Sequence, residues 1–491
     1  MAFVPSKYQQ AIYDYIQNGD GNLVIEAVAG SGKSTTIINA LNIIPEDKDV
    51  LFLAFNKSIV DELKEKIGDK KNVTVKTLHS LGSSICYKNF RSSINADKYR
   101  KYVDHQVREK KYQPEKKLGK DEFLEWKNNI KEMINLIRLN LVKTDSDAKK
   151  LAEKHDIIIE DNEIQLAFKA IKWGESNVAE IDFTDMIYFP NVKNVDIPQF
   201  DFVFIDECQD LNSAQREMFL KCVDPDFGRF VAVGDGKQAI YGFSGSDEES
   251  FAKLKNQPDT KLMPLSICYR CDAKIIEKAK KIVPQIEAKD GAEEGVIVDT
   301  ATVDDIQDGD MVLCRMTAPL VKLCMRFIKD GKKAYIKGWD TGSNLIKLLK
   351  DTDEEYVEDA LIKIYEQEEK LLDKMCKLMD YTKEDAVNSS MYQTFLDKVD
   401  AIKSICEGID KTEDAVKKIE EIFSDKNGSG ICMSTVHKAK GLECDRVFII
   451  EMNKFYLPWV MKNKVYAAQE KNLEYVAITR AKKYLGYIEH I

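Results

Sequence analysis

Asn22-Leu23-Val24-Ile25-Glu26-Ala27-Val28-Ala29-Gly30-Ser31-Gly32-Lys33-Ser34 is the stretch on which the fold turns. Its first half is apolar and β-prone. Its second half gives up bulk and ends on a lysine and a hydroxyl. A strand that passes through glycines into a helix gathers backbone N–H groups and the positive end of the helix dipole at one point. Gly30 and Gly32 supply the backbone freedom for that turn. Such a cradle suits phosphate: Lys33 would neutralise phosphate oxygens, and the Ser34 hydroxyl would ligate Mg²⁺. Ala29, Ser31 and Thr35 complete the loop. The strict loop pattern has glycine at position 27, where this chain has Ala27, so a partner elsewhere must strengthen the reading.

Strand-like runs recur at 50–54 and 73–77, with helix-like runs at 34–41 and 59–67. Strands alternating with helices imply a parallel sheet. The pattern breaks over 84–180, which is rich in Lys and Glu and carries Phe123, Trp126, Ile130, Ile134 and Ile137 at helical spacing. Strand character returns at 202–206 and 230–234. A second alternating block begins near Gly295, with strands expected at 311–315 and 333–336. Residues 344–425 interrupt it with a charged helical pattern that includes Leu361, Ile364, Leu371, Met375 and Leu378. Asn427-Gly428-Ser429-Gly430 reads as a closing linker, and strands resume at 431–435 and 446–450. The expected class is α/β, with two parallel-sheet domains each interrupted by a mainly helical insertion. The first domain covers 1–83 and 181–275 around an insertion at 84–180. The second covers 276–343 and 426–491 around an insertion at 344–425.

The partner to the loop is Asp206-Glu207, which closes the apolar run Phe202-Val203-Phe204-Ile205. Ligands in parallel sheets bind at the C-terminal ends of strands. There Asp206 would hold Mg²⁺ through water, and Glu207 would orient and deprotonate an attacking water.

Bulk properties set limits on this reading. A chain of 491 residues exceeds one hydrophobic core and implies two to four domains. The net charge of −10 argues against a surface coated with cations, though not against a local groove. No apolar run reaches the ~18 residues of a membrane helix, and the first residues lack a secretory pattern, so a soluble, intracellular protein without membrane partners is expected. The 11 cysteines are scattered through apolar segments and read as buried thiols, including the C-x-x-C pair Cys268 and Cys271.

Further boxes follow in order. Asp206-Glu207-Cys208-Gln209-Asp210, Val233-Gly234-Asp235-Gly236-Lys237-Gln238-Ala239-Ile240-Tyr241-Gly242-Phe243, Cys268-Tyr269-Arg270, Thr435-Val436-His437-Lys438-Ala439-Lys440-Gly441-Leu442-Glu443 and Tyr475-Val476-Ala477-Ile478-Thr479-Arg480-Ala481 are all present. Upstream stand Phe55-Asn56-Lys57 and Thr77-Leu78-His79-Ser80. Together, from Gln9 to Ala481, these boxes resemble those of superfamily 1A helicases of the UvrD/Rep/PcrA type. The resemblance implies two RecA-like motor domains with ATP between them, and an enzyme whose DNA-stimulated ATP hydrolysis drives it along single-stranded DNA. The Lys440-Gly441-Leu442-Glu443 form is like the branch that moves 3′ to 5′.

The resemblance also implies residue roles. Arg480 becomes an arginine finger and Arg270 a cation at the domain junction; both guanidiniums suit γ-phosphate oxygens. Gln238 senses the γ-phosphate. Gln9 reads adenine, although Ser6-x-x-Gln9 also fits a helix capping box. Tyr269 stacks on the base, and Glu443 contacts the nucleotide sugar. On the DNA side Tyr241, Phe243 and Phe55 become stacking platforms. Asn56, Lys57, Thr77, His79, Thr435 and His437 become contacts to the strand.

Several positions depart from the family pattern. Ser244-Gly245-Ser246 stands where Arg-Gly-Ala is common, Cys268 stands where Asn is common, and Cys444 follows Glu443. The chain ends 11 residues after Arg480, earlier than many members. Translocation is therefore the firmer expectation. Duplex unwinding stays open beside stripping of bound proteins, or service as the motor of a larger repair or replication complex. Phe455-Tyr456-Leu457-Pro458-Trp459 is a candidate wedge at a single-strand/duplex junction, or else a packed loop.

Overall fold

The computed structural model describes residues 3–54, 57–68, 70–112, 114, 120–155, 157–240, 249–378, 381–424, 429–456 and 464–491. The chain forms two compact units, Met1–Ser266 and Ile267–Ile491.

In the first unit the opening stretch is strand β1 (Asn22–Ala27), followed by the loop and the helix Lys33–Ile43. Then come β2 (Val50–Ala54), β3 (Val73–Thr77), the short pair β4 (Ser93–Ile94) and β5 (Glu180–Ile181), β6 (Phe202–Ile205), β7 (Arg229–Gly234) and β8 (Thr260–Leu265). Six of them form a sheet in the order β3-β2-β6-β7-β1-β8, with every neighbouring pair parallel. A parallel sheet covered on both faces needs apolar strands throughout, and β2 and β6 are buried at every residue. Phe52 and Phe204 enter the core on one face with Ile12, Ile37 and Leu41. Leu51, Leu53 and Val203 enter the other with Leu81, Ile85 and Met218.

Between β3 and β6 lies a helical body with a core of its own, built on Trp126, Ile130, Ile134 and Ile137 from the helix Lys120–Leu139. Its centre is ionic. Arg138 is fully buried and bonds Asp182 at 2.8 Å and Asp185 at 2.7 Å. Asp185 also accepts from Lys98 and from the Tyr99 hydroxyl, each at 2.7 Å.

The second unit opens with the pair β9 (Ile267–Cys268) and β10 (Glu287–Ala288). Its sheet contains β11 (Val296–Val298), β12 (Met311–Cys314), β13 (Ala334–Lys337), β14 (Ile431–Thr435), β15 (Cys444–Ile450) and β16 (Ala481–Ile488). The order is β11-β16-β15-β12-β14-β13, again all parallel. The α/β class with two parallel sheets is as expected. The helices between β13 and β14 share one core with this sheet: Leu345, Ile364, Ile402 and Ile419 pack in the same cluster as Val312, Ile336, Met433 and Phe448. Asp397, on the helix Ser390–Cys406, accepts the N–H groups of Thr317 and Ala318 at 2.8 Å each, at the start of the helix Thr317–Lys329.

All 11 cysteines are free thiols. Among the described residues no helix is long and apolar enough to cross a membrane.

Candidate functional site

The sheet register delivers three neighbouring strand ends to one place. Asp206 follows the last residue of β6, Asp235 follows that of β7, and the glycine loop follows β1, and the three strands are neighbours in the sheet. Gly30 and Gly32 take left-handed φ of 67° and 78°, and Gly32 caps the helix Lys33–Ile43. The first N–H groups of any helix lack intrahelical acceptors. The Ser31 hydroxyl is buried without a hydrogen-bond partner among the described residues. A phosphate placed there meets donors rather than satisfied groups.

Lys33 Nζ lies 2.7 Å from Glu207 Oε1. Burial opposes the ammonium, but Glu207, Asp206 and Asp235 outweigh it and raise the Lys33 pKa, so the lysine stays charged. Burial, then the Glu207 charge, push Asp206 up to about 6 against the pull of Lys33. A polycarboxylate site that binds its own protons this readily is one that a dication would stabilise. Among the described residues no three Asp, Glu, His or Cys side chains converge as a cage. A hydroxyl, Ser34, and a carboxylate, Asp206, are hard oxygen donors that fit Mg²⁺, which completes its shell with water and phosphate.

Glu207 has a left-handed φ of 51°, a conformation that costs a non-glycine residue about 1–3 kcal/mol and clusters at functional sites. A chain of amides fixes it. Gln209 Nε2 donates to Glu207 Oε2 at 2.5 Å, and Gln209 Oε1 accepts from the Asp235 N–H at 3.0 Å. Asp235 accepts from Gln238 Nε2 at 2.7 Å and from the Lys237 N–H at 2.9 Å. Burial raises the Asp235 pKa, with Lys33 and Gln238 opposing. Gly234 makes room for this chain, since a Cβ there would stand 2.4 Å from Gln209 Oε1. Gln209, Gly234 and Asp235 carry no role in the sequence reading, although all three lie inside quoted boxes.

Gln9 is buried and its amide is engaged. Oε1 accepts from the Ser6 N–H at 3.0 Å in a full capping box, and Nε2 donates to Thr36 Oγ1 at 3.0 Å. It therefore ties its helix to the one that starts at the phosphate loop. Of the strand-contact candidates in this unit, Thr77 caps the helix Leu78–Phe90, accepting from the Ser80 N–H, while His79 and Lys57 are exposed. Phe55, Asn56, Tyr241 and Phe243 lie outside the described residues, as do Ser244-Gly245-Ser246.

In the second unit the candidates divide between opposite edges of the sheet. At the N-terminal ends of β15 and β16 stand Glu443, Arg480 and, from the segment after β9, Arg270. Arg270 Nε lies 2.6 Å from Glu443 Oε2, and its Nη1 donates to the Thr479 carbonyl at 3.2 Å. Lys482 holds the other Glu443 oxygen at 2.8 Å. Arg480 is 1 % exposed and donates to the carbonyls of Val476 and Leu442 at 3.0 Å each and to Thr479 Oγ1 at 3.3 Å. Burial and the like charge of Arg270 bring its pKa down to about 10. Tyr269 is 43 % exposed. At the C-terminal edge stand Thr435 and His437, both half-buried. Burial first, then Arg315 and Lys438, hold the His437 imidazole well below its ordinary pKa, so it is neutral. Phe455 is buried and the Tyr456 hydroxyl bonds Glu474; residues 457–459 lie outside the described residues.

Comparison with known proteins places the chain beside two helicase family models and a set of relatives. The family described as UvrD/REP helicase N-terminal domain matches residues 8–259, and that described as UvrD-like helicase C-terminal domain matches residues 430–488. The chain is 25 % identical over 296 residues to the ATP-dependent DNA helicase PcrA of Staphylococcus aureus (strain NCTC 8325 / PS 47), covering 55 % of this chain and 38 % of that protein. It is 24 % identical over 347 residues to the ATP-dependent DNA helicase PcrA of Staphylococcus epidermidis (strain ATCC 12228 / FDA PCI 1200), covering 65 % of this chain and 45 % of that protein. It thus spans less than half the length of these relatives.

Proposed function

Because the chain belongs to the UvrD/REP helicase family, we propose that it is an ATP-driven motor that moves 3′ to 5′ along single-stranded DNA and opens duplex at single-strand/duplex junctions. The observation that carries this reading is the assembly at the edge of the first sheet, where Lys33, Asp206, Glu207, Asp235 and Gln238 form one hydrogen-bonded and ion-paired group beside the glycine loop. Each member has work that its chemistry suits. The loop amides and Lys33 hold the β- and γ-phosphates. Mg²⁺, held by Ser34 and Asp206, would supply charge neutralisation on the phosphate oxygens. Glu207, pinned by Gln209, aims at a water and takes its proton. Gln238, tethered to Asp235, reports the γ-phosphate to the segment that follows it, which leads toward Tyr241 and Phe243.

The second unit contributes cations and a grip in this reading. Arg270 and Arg480 stabilise transition-state charge, an effect of about 10³–10⁵ in rate where arginines act this way. Arg480 must exchange three contacts within its own unit for a phosphate. Tyr269 and Glu443 then take the base and the sugar. Val436 to Glu443 joins the C-terminal end of β14 to the N-terminal start of β15. One short segment therefore ties the strand-contact residues Thr435 and His437 to the nucleotide residue Glu443. The 3′-to-5′ polarity rests on the Lys440-Gly441-Leu442-Glu443 form.

The test is ATP hydrolysis with and without single-stranded oligonucleotide, for wild type and Lys33→Ala. Strong stimulation that Lys33→Ala abolishes supports the motor; hydrolysis that ignores DNA removes it. A second reading, a translocase that strips bound proteins with little unwinding, is favoured by one observation: Phe455 and Tyr456, two of the five residues of the candidate wedge, are packed and bonded. A tailed-duplex assay beside displacement of streptavidin from a biotinylated strand separates the two. Repair or replication partners belong with either reading.

A further inference from the structure

Trp339 sits where a parallel sheet presents its ligands. β13 lies beside β14 with Lys337 opposite Ser434, so the residues that follow the two strands leave the same C-terminal edge together. After Lys337 come Gly338 and Trp339; after Ser434 come Thr435 and His437. The adjacency is direct. Lys438 Nζ lies 2.5 Å from Asp340 Oδ2, and a Cβ built on Gly338 would stand 3.5 Å from Lys438 Cγ. Gly338 holds φ 119°, a backbone that turns the chain sharply out of β13 and starts the helix at Trp339. Trp339 is 41 % exposed. Tryptophan is highly buried on average, and here a partly exposed one stands in the segment next to that of Thr435 and His437, at the edge where parallel sheets bind ligands.

We propose that Trp339 is a base-stacking platform of the second unit, on which one base of a single strand rests while Thr435 and His437 hydrogen-bond the adjoining phosphate. This deepens the DNA-motor reading and rests on it. The chemistry fits the ligand class. Every base has a π-face, so an indole grips any sequence, and a neutral imidazole and a hydroxyl can contact phosphate without a stack of charges. A second platform on the second unit would give this unit a hold of its own on the strand, apart from the aromatic candidates of the first. Phe227, the most exposed large aromatic among the described residues at 84 %, lies instead just before β7 begins, at the opposite edge of its sheet.

The experiment measures binding of a 5′-labelled oligothymidylate to the full chain by anisotropy, for wild type, Trp339→Phe and Trp339→Ala. Stacking of about 1–3 kcal/mol per base predicts affinity about 5- to 150-fold weaker for Trp339→Ala, at about 1.4 kcal/mol per tenfold. Trp339→Phe should recover most of it, which a purely structural role at a helix start would not require. Unlabelled oligothymidylate should also quench the tryptophan emission of wild type more than that of Trp339→Phe. Equal affinity of Trp339→Ala and wild type, with equal quenching in wild type and Trp339→Phe, overturns the platform and leaves the DNA reading standing. Absence of any oligothymidylate binding by wild type overturns both.

Discussion

Glu207 carries two features that an ordinary surface glutamate lacks: a left-handed φ of 51° and a carboxylate held from both sides, by Lys33 at 2.7 Å and Gln209 at 2.5 Å. A strained residue held so firmly is positioned for chemistry rather than for packing. Glu207→Gln keeps the shape and removes the base. It should lower ATP turnover by about 10²–10⁴ while nucleotide affinity stays within a few-fold, read from kcat and from equilibrium binding. An equal loss in binding would make Glu207 a scaffold for Lys33 only. His437 supplies a pH prediction. The folded chain holds it neutral, by burial and then by Arg315 and Lys438. The unfolded chain takes up a proton near pH ~6.5, so this stability is present above that pH and drains away below it, by up to about 1.4 kcal/mol per unit. Urea unfolding of the second unit should therefore lose more on acidification in wild type than in His437→Gln. The candidate site was legible in part, and the reason is physical. Lys33, Asp206 and Glu207 announce themselves because phosphate chemistry restricts which residues can stand at a strand end. Gln209 and Asp235 do not, since their role is to hold other side chains and only the fold reveals which ones. The orientation of Arg480 toward carbonyls of its own unit is a rotamer, and no spacing in a sequence encodes it.

Strands buried on both faces are the elements a sequence displays most openly. β1, β2 and β14 stand where their apolar runs place them, because a parallel strand between helices has no polar face to blur the pattern. β8 escapes notice for the opposite reason. It is one of the two edge strands, exposed at several positions, and it contains Pro264, which an edge tolerates and an interior strand does not. β16 is disguised by Lys482, Lys483 and Gly486 within it. The helices between β13 and β14 have a charged pattern that suggests a body apart, yet their apolar stripes complete the core of the second sheet. Asp397 fastens them. Its carboxylate takes the two leading N–H groups of the helix Thr317–Lys329, where the helix dipole favours a negative charge. Asp397→Ala leaves those donors buried and unpaired and should cost about 1–3 kcal/mol. Urea unfolding measures the loss. Hydrogen exchange should rise in both Thr317–Lys329 and Ser390–Cys406; a rise confined to the second helix would mean that the cap contributes nothing to the first.

At the scale of the whole chain, the formal charge of −10 constrains how a strand of phosphates can be held. A protein that binds nucleic acid chiefly through cations gathers them, and its affinity collapses with salt in proportion to the phosphates neutralised. The strand-contact candidates here are mostly uncharged: Thr77 and Thr435, a neutral His437, and the ring of Trp339, with Lys57 the one cation among those described in the first unit. Hydrogen bonds and stacking release few counterions. A grip of this kind also suits movement, since contacts to sugar-phosphate and to any base repeat at every nucleotide and can be exchanged one at a time. The expected outcome is a shallow salt dependence for oligothymidylate binding. At about 0.7 per neutralised phosphate, even a track with three or four cations would give a slope of log K against log salt no steeper than about −2 to −3. Anisotropy titrations across a range of salt would read it. A slope beyond about −5 would mean that a basic track dominates. The platform and the neutral contacts would then be accessories to a charged groove elsewhere on the chain.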